Sequence, residues 1–419
     1  MPLSRGWGLA LLAATLGTTA RSLDFVPEEL QQYDDHHRRT MPWSKSSKMG
    51  LGLGLVQEPE MRDALDLGVW LAVPLLAVLL LVSLRMQLRS GAALKAGAAS
   101  QFADLLEAGH VRVRRLAAGV MRTGPVPRHV AFIMDGNRRW AKELGVKTLK
   151  GHNAGYEAMC GILEHCKDLG VEVVTVYAFS IENFKRSQEE VNHLMELAMA
   201  KFEDAILETG DLHKHRVRVR VLGDLSLLPK SVQEASARVT FSTAKNDGPI
   251  CNICLSYTSQ EEMAATVRSL VEGVERGELE PEDLDVELIG RAMYTADLPT
   301  PDLLVRTSGE TRLSDFMLWQ CATAQLAFTP VLWPSFSWWQ LMKILLDFQR
   351  HYGAMMQRRA HHAEAQAKLD EARAEAELSR RRGPRATVEG VLQERRGRQE
   401  GFLAGLAERR KEALAKLLR

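Results

Sequence analysis

The sequence predicts an α/β domain with a central, mostly parallel sheet surrounded by helices, and three observations support this. From about residue 111 to residue 352, strand-like apolar runs alternate with helix-like segments. The first apolar run, residues 130–134, is unbroken, which is typical of a strand buried on both faces. Polar side chains follow several of these runs, where ligands bind in sheets of this class.

The elements follow one another in a regular order. The predicted strands are residues 130–134, 172–179, 217–222, 250–256, 302–306 and 326–332, which makes a six-stranded sheet. Helical stretches between them include residues 188–208, 231–245 and 260–277. Beyond residue 352, Ala, Glu, Gln, Arg and Lys dominate, with a break at Gly383-Pro384. This composition predicts a polar helical hairpin over residues 353–419, either solvated or wrapped on a partner.

The N-terminal region predicts attachment to a membrane. Residues 1–20 have the pattern of a signal peptide, and residues 21–66 form a polar linker. Residues 67–84 are uncharged over a length near the lower limit of a transmembrane helix. Basic residues follow this run at once, which favours a cytosolic location for the catalytic domain, residues 101–352. A wrongly joined upstream exon is the alternative explanation of this region.

Charge and cysteine content exclude some functions. The formal net charge is +1, so no global field attracts nucleic acid, and a polyanion must bind to a local cluster of charge. The chain has 5 cysteines without a disulfide framework. Cys251 and Cys254 form a lone CxxC inside an apolar run, which indicates core packing rather than zinc or redox chemistry.

The end of the first predicted strand has the chemistry of a phosphate site. Asp135-Gly136-Asn137 follows the apolar run, and Arg138 and Arg139 open a stretch of helix formers. A strand that feeds a helix through such a turn directs free N–H groups into a cleft, and Asp135 can hold a divalent metal. Taken alone, the segment is equally compatible with an ordinary turn that carries a solvated arginine pair.

Two further strand ends carry similar side chains. Ser180, Asn183 and Arg186 follow the second strand, while Arg306 ends the fifth strand and is followed by Arg312 and Ser314. The forked guanidinium group of an arginine can bind two phosphate oxygens at once. The three strand ends together are therefore equipped for two diphosphates and a magnesium ion. Chance scatter of loop residues is the alternative. His152, after the first helix, is either structural or a phosphate contact.

Six segments in this order resemble the cis-prenyltransferase family, and most of all its eukaryotic catalytic subunits. They are HVAFIMDGNRRWA, GHNAGYEAM, VTVYAFSIENFKRS, EVNHLM, RTSGETRLSDFMLWQ and VLWP, within about residues 124–352. The resemblance implies a six-stranded parallel sheet with a hydrophobic tunnel between sheet and helices. It also implies Mg²⁺-dependent, repeated condensation of isopentenyl diphosphate onto farnesyl diphosphate, which yields long-chain polyprenyl diphosphate for dolichol synthesis at the endoplasmic reticulum membrane.

The resemblance also implies roles for single residues. Asp135 would coordinate magnesium, and Asn183 with Ser180 beside it would lie near the reacting centre. The allylic diphosphate would be held by Gly136, Asn137, Arg138 and Arg139, with His152 near it. The isopentenyl diphosphate would be held by Arg186, Arg306, Arg312 and Ser314. The lipid path would be bordered by Trp140 and Phe179.

Departures from the family pattern imply a partner. Thr148, Thr311 and Gln325 stand where the bacterial homomeric enzymes have Arg, His and Glu. The C-terminal Arg-x-Gly signature is also missing, as in eukaryotic subunits that borrow it from a catalytically inert subunit of the same fold. The chain could itself be that inert, membrane-anchored subunit, but such a scaffold has no need of the polar residues named above. The DDxxD pairs of trans-prenyltransferases and the glycine-rich turns of nucleotide-binding domains do not occur in the domain.

Overall fold

The computed structural model describes residue 109 and residues 111–206, 216–296, 298–380 and 387–418. The predicted signal peptide (1–20), linker (21–66) and membrane span (67–84) lie outside these ranges. Within them, no helix is both long enough and apolar enough to cross a membrane.

A six-stranded sheet, parallel throughout, forms the centre of the described domain, as the alternating sequence predicts. Its strands lie in the order β3-β4-β2-β1-β5-β6. They are β1 (His129–Ile133), β2 (Val173–Ser180), β3 (Arg218–Leu222), β4 (Ile250–Tyr257), β5 (Leu303–Arg306) and β6 (Gln325–Phe328). The chain moves from β1 towards β3 and then returns to the other side of β1, so a topological switch point lies at β1, where ligands bind in open α/β sheets.

Helices surround the sheet. A short helical segment covers residues 111–121. The helices that follow are α1 (Asn137–Glu143), α2 (Thr148–Leu169), α3 (Gln188–Ile206), α4 (Lys230–Ser242), α5 (Ser259–Glu275), α6 (Val286–Arg291), α7 (Trp338–Arg380) and α8 (Val388–Lys416). The three helices predicted between strands are present, and their ends differ from the prediction by a few residues in the described ranges.

The sheet is buried on both faces because successive β1 residues enter different cores. Val130 and Phe132 belong to the larger core, which contains residues of α2, α3 and α7. Ala131 and Ile133 belong to a smaller core with Phe316 on the opposite face. This two-sided burial explains the unbroken apolar run in the sequence.

Buried polar side chains on three neighbouring strands, β1, β2 and β4, are connected by hydrogen bonds. His129 is fully buried, with Nδ1 2.7 Å from the Pro299 carbonyl oxygen and Nε2 2.7 Å from Thr175 Oγ1. Asn252 Nδ2 donates to the same Thr175 Oγ1 at 2.9 Å. Burial lowers the pKa of His129 to about 4, so the ring is neutral near pH 7.

The C-terminal hairpin helix α8 contacts the domain itself, in addition to α7. Arg398 makes two bonds of 2.7 Å to the Asp283 carboxylate, and Phe402 lies against Gly273 of α5. The inward stripe of α8 contains Val391, Arg395, Gln399, Phe402 and Leu406. Two of its five positions are polar, whereas the polar composition of this region predicts a helix that is solvated or wrapped on a partner. In the structure Arg395 is neutralised by Glu377 of α7 at 2.9 Å.

Candidate active site

A cavity of about 920 Å³ opens where β1, β2 and β5 end. Nearly all of the predicted site residues line it, and all come from the three strand ends or from α2. These residues are Asp135, Gly136, Asn137, Arg138, Arg139, His152, Ser180, Asn183, Arg186, Arg306, Arg312 and Ser314. Side chains from the three separate loops thus converge on one cavity.

The turn after β1 is fixed by its neighbours. The backbone N–H of Asp135 donates to Thr307 Oγ1 at 3.0 Å, and its carbonyl accepts from Thr307 Oγ1 at 2.8 Å and from the Trp333 N–H at 3.0 Å. Gly136 has φ 110°, which favours glycine, and a Cβ there would lie 3.1 Å from the Leu332 backbone. The Asp135 carboxylate is thereby held at the cavity wall.

Arg306 organises the β5 side of the cavity. Its side chain is only 3% exposed. Its Nη2 lies 3.0 Å from Asp135 Oδ2, and its Nη1 donates to Ser314 Oγ at 2.7 Å and to the Arg312 carbonyl. One buried guanidinium thus connects the Asp135 carboxylate to the loop that carries Ser314, with fork geometry that lysine cannot reproduce.

Glu190 of α3 connects the other basic residues, and the sequence analysis did not single it out. Its Oε1 accepts from Arg186 Nη1 at 2.8 Å and lies 3.3 Å from His152 Nε2, while its Oε2 lies 4.0 Å from Arg138 Nη1. Burial lowers the pKa of His152 despite this carboxylate, so the ring is neutral near pH 7. The i, i+4 spacing of Arg186 and Glu190 was the signal that could have revealed it.

Ser180 and Asn183 form a rigid turn after β2. Ser180 Oγ accepts from the Glu182 N–H, and Asn183 Oδ1 accepts from the Ser180 N–H, both at 3.1 Å. The bond from the Ser180 N–H orients the Asn183 amide, whose NH₂ group carries two donors. The turn therefore offers hydrogen-bond donors to the cavity.

The loop after β5, residues 307–317, is held in a strained backbone conformation. Ser308, Ser314, Asp315 and Met317 have φ values of 77°, 49°, 57° and 46°. Such values are uncommon for residues other than glycine and accumulate at functional sites. Glu310 in this loop pairs with Arg312 and lies 3.5 Å from Arg139, so it also connects two strand ends.

A second, apolar cavity of about 140 Å³ adjoins the polar one, between the sheet and helices α2 and α3. Phe179 lines it with apolar residues of both helices, including Met159, Leu194 and Phe202. Asn137 and His152 line both cavities, which therefore meet at the β1 turn. Gly155 permits this approach, because a Cβ there would lie 2.4 Å from Asn137 Oδ1.

Two sequence positions lie elsewhere. Trp140 lines neither cavity, since its place on α1 lets its Nε1–H donate to Ser335 Oγ at 3.1 Å. Gln325 is at the amino end of β6, opposite the cavity, and donates to Asp347 Oδ2 at 2.9 Å.

The donor set fits a diphosphate-bound magnesium ion. Within the described ranges no group of three or more His, Cys, Asp or Glu side chains could form an all-protein metal site. Mg²⁺ usually retains waters and uses one or two carboxylates together with substrate phosphates. Asp135, half-buried in a cavity lined by arginines, supplies such a carboxylate, and the buried Asn137 Oδ1 has no hydrogen-bond partner among the residues that the structure describes.

Comparison with known proteins agrees with this geometry. The sequence model of the undecaprenyl diphosphate synthase family matches residues 133–355. The chain therefore belongs to this family, the cis-prenyltransferases, and is a prenyltransferase.

Individual relatives support the assignment. The mouse (Mus musculus) dehydrodolichyl diphosphate synthase complex subunit is 43% identical over 313 residues, covering 72% of this chain and 94% of the relative. The tritrans,polycis-undecaprenyl-diphosphate synthase of Methanocaldococcus jannaschii, described as specific for geranylgeranyl diphosphate, is 44% identical, covering 54% and 81%. The crystal structure of lavandulyl diphosphate synthase from Lavandula x intermedia, in complex with dimethylallyl diphosphate, matches with a TM-score of 0.50 and 33% identity, covering 53% and 95%.

Proposed function

We propose that the chain repeatedly condenses isopentenyl diphosphate onto an allylic primer, farnesyl diphosphate, to give a long-chain polyprenyl diphosphate for dolichol synthesis. One observation carries this proposal. A polar cavity lined by arginines from three strand ends adjoins an apolar cavity between the sheet and α2 and α3. A molecule with a diphosphate head and an isoprenoid chain fits both.

The residues divide into two groups around the reacting centre. The β1 turn, with Arg138 and Arg139, binds the allylic diphosphate, and its chain enters the apolar cavity beside Phe179. Arg186, which follows β2, and Arg306 and Ser314, on the β5 side, bind isopentenyl diphosphate. Holding two polyanions together requires this density of positive charge, because their repulsion otherwise prevents close approach.

Charge stabilisation lowers the barrier to loss of the allylic diphosphate. Asp135 is the residue that would hold Mg²⁺, and the bound ion would supply positive charge for the departing diphosphate oxygens. Arg138 and Arg139 add fixed positive charge at the same place. Asn183, whose amide is oriented by the bond from the Ser180 N–H to its Oδ1, donates from its NH₂ group and orients the second diphosphate.

The chain acts with a second, catalytically inert subunit of the same fold, which supplies the missing Arg-x-Gly tail. The exposed edge strand β6 presents Leu326 and Phe328, and α7 nearby presents Trp339, which is 65% exposed. No other strand of the described residues pairs with the outer edge of β6, and apolar side chains along such an edge are typical of an interface between subunits. The mouse relative's name, a complex subunit, supports this part of the proposal.

Two segments of this chain, residues 381–383 and 395–397, have the Arg-x-Gly spacing, but both occur within stretches of helical composition, where chance explains the spacing. Arg395-Arg396-Gly397 lies within α8, where Arg395 is buried against Glu377. The other candidate, residues 381–383, lies outside the described ranges.

The predicted signal peptide and span support location at the endoplasmic reticulum membrane with the catalytic domain in the cytosol. That location would also suit an inert scaffold. An inert scaffold does not, however, explain why Asp135, Arg306 and Ser314 form one connected set in the cavity.

The test is incorporation of labelled isopentenyl diphosphate into polyprenyl product from farnesyl diphosphate, with and without the inert subunit. Asp135→Ala should abolish product, and Asp247→Ala, at an exposed carboxylate paired with Arg216, should not. Retained turnover in Asp135→Ala would refute the metal assignment. Equal turnover with and without the inert subunit would refute the partner.

A further inference from the structure

The strained loop after β5, residues 307–317, needs support from outside itself. Four of its non-glycine residues have positive φ, and it carries Arg312 and Ser314 of the cavity. Strain of this kind persists only when the surrounding structure holds it in place. The contacts that hold the loop therefore control the position of Ser314.

The first turn of α5 provides much of that support. The Ser259 N–H donates to the Asp315 carbonyl at 2.8 Å, and the Gln260 N–H donates to Asp315 Oδ1 at 3.2 Å. Ser259 Oγ accepts from the Leu318 N–H at 2.9 Å. These bonds fix the backbone on the C-terminal side of Ser314, so a shift of α5 would move the loop.

Glu262, one turn further along α5, fixes this turn in the interior. It is 1% exposed, and both carboxylate oxygens accept hydrogen bonds. The donors are the Tyr257 hydroxyl at 2.5 Å, the Tyr294 N–H at 2.7 Å and Gln320 Nε2 at 3.0 Å. One carboxylate thus connects the end of β4, the segment after α6 and the segment after the loop.

Arg410 of the C-terminal helix α8 holds the far side of this network. Its two terminal nitrogens donate to the Met293 carbonyl at 3.0 Å and the Ala292 carbonyl at 2.7 Å. Its guanidinium carbon lies 5.4 Å from the centre of the Tyr294 ring. Burial lowers the pKa of Arg410, and the negative charge of Glu262 opposes that shift. The segment that donates to Glu262 is therefore held by a helix outside the matched family region, residues 133–355.

We propose that Arg410 and Glu262 are positioning residues for the isopentenyl diphosphate site, and that α8 acts as a strut for the loop carrying Ser314. The chain of contacts runs from Arg410 to the 292–294 segment, then to Glu262 and the start of α5, and finally to Asp315. This inference rests on the proposed function, because it assigns the loop to the isopentenyl diphosphate side.

Steady-state kinetics of the full-length chain with the inert subunit provide the test. Arg410→Ala and Glu262→Gln should each raise the KM for isopentenyl diphosphate at least fivefold and leave the KM for farnesyl diphosphate within twofold. Glu262→Gln keeps the shape but leaves one acceptor oxygen for several donors. Arg410→Lys should give a smaller rise, because an ammonium reproduces the two-carbonyl contact only in part. Arg396→Ala, at an exposed position of the same helix, is the matched control.

A second measurement separates positioning from stability. In hydrogen–deuterium exchange, Arg410→Ala should accelerate exchange in residues 314–318, while the strands β1 and β5 keep wild-type protection. An effect on stability alone would lower the active fraction without moving either KM. Unchanged KM and unchanged exchange in folded Arg410→Ala and Arg410→Lys protein would overturn the inference. Absence of product from the wild type would instead overturn the proposed function. The hydrogen–deuterium exchange measurement does not depend on turnover and would still test the contact between α8 and the loop.

Discussion

Replacement of Arg306 by lysine tests the geometry of the site while preserving its charge. Arg306 uses a planar fork to reach Asp135 Oδ2 at 3.0 Å and Ser314 Oγ at 2.7 Å, with a third bond to the Arg312 carbonyl. A lysine ammonium keeps the positive charge but cannot span these partners at once. Ser314 and Asp135 should therefore lose their common anchor.

The magnitude follows from the bonds lost. A hydrogen bond to a charged group contributes about 1.5 kcal/mol at the low end of its usual range. The two bonds to Asp135 and Ser314 therefore amount to about 3 kcal/mol. The low value is appropriate because the Asp135 side chain is 35% exposed, so water partly replaces the lost partner. If the loss falls on the transition state, kcat/KM for isopentenyl diphosphate should drop about 10²-fold.

The assay measures initial rates of labelled isopentenyl diphosphate incorporation across a range of its concentration. Arg128→Lys is the matched control, because Arg128 also forms a two-bond pair, with Glu172, but is exposed at the amino end of the sheet. A surface pair of this kind contributes about 0–1 kcal/mol, so the control should be near wild type. A loss of less than threefold in folded Arg306→Lys protein would refute the connecting role of the fork.

Three further predictions concern the metal, the anionic residue between the arginines and the buried histidine. Chelation of divalent cations should abolish turnover and added Mg²⁺ should restore it, whereas full activity in excess chelator would contradict the role of Asp135. Glu190→Gln should lower kcat about tenfold, about 1.4 kcal/mol, because the bond from Arg186 at 2.8 Å loses its charged acceptor. The KM for isopentenyl diphosphate should not rise, because the cavity gains net positive charge. The exposed neighbour variant Glu189→Gln is its control, and equal kcat in the two variants would exclude the anchoring role. The pKa of His129 is about 4 in the folded chain and 6.5 in the unfolded chain. Between these pH values the unfolded chain binds more protons than the folded chain. The free energy of unfolding should therefore fall by about 3 kcal/mol as pH drops from 6.5 to 4. Urea titrations at several pH values measure this slope, and a His129→Gln variant with the same slope would show that other groups cause it.

The fold was predictable because its signals are local. Unbroken apolar runs mark strands covered on both faces, and the polar loops after residues 134, 179 and 306 mark their carboxyl ends. Parallel strands bring those ends to one edge, so Asp135, Asn183 and Arg306 could be assigned to one site before their distances were known.

What the sequence concealed depends on contacts between distant segments. Glu190 is one glutamate among several on α3, and only the folded chain brings it to Arg138 and His152. The packing of α8 was hidden because Arg395 and Gln399 occupy its inward stripe, and their partners, Glu377 and the Asp283 carbonyl, lie in other segments of the chain. Buried polar side chains are usually hydrogen-bonded, so the burial of such a residue can be predicted only when its partner is known.

The position of Trp140 illustrates a third limit. Its neighbour Arg139 lines the polar cavity, but one step along α1 rotates the next side chain by about 100°, towards Ser335. A sequence motif identifies a segment, but the rotation of side chains around the helix determines which of its residues line the cavity.

The central claim is that this cavity extends an allylic diphosphate by repeated five-carbon additions. The most direct measurement is mass spectrometry of the products formed from farnesyl diphosphate and isopentenyl diphosphate by the full-length chain with the inert subunit. We expect a series of polyprenyl diphosphates separated by single isoprene units, with Z double bonds in the added units. The Asp135→Ala variant should give no such series. A single condensation product, added units with E double bonds, or no product from a folded complex would contradict it.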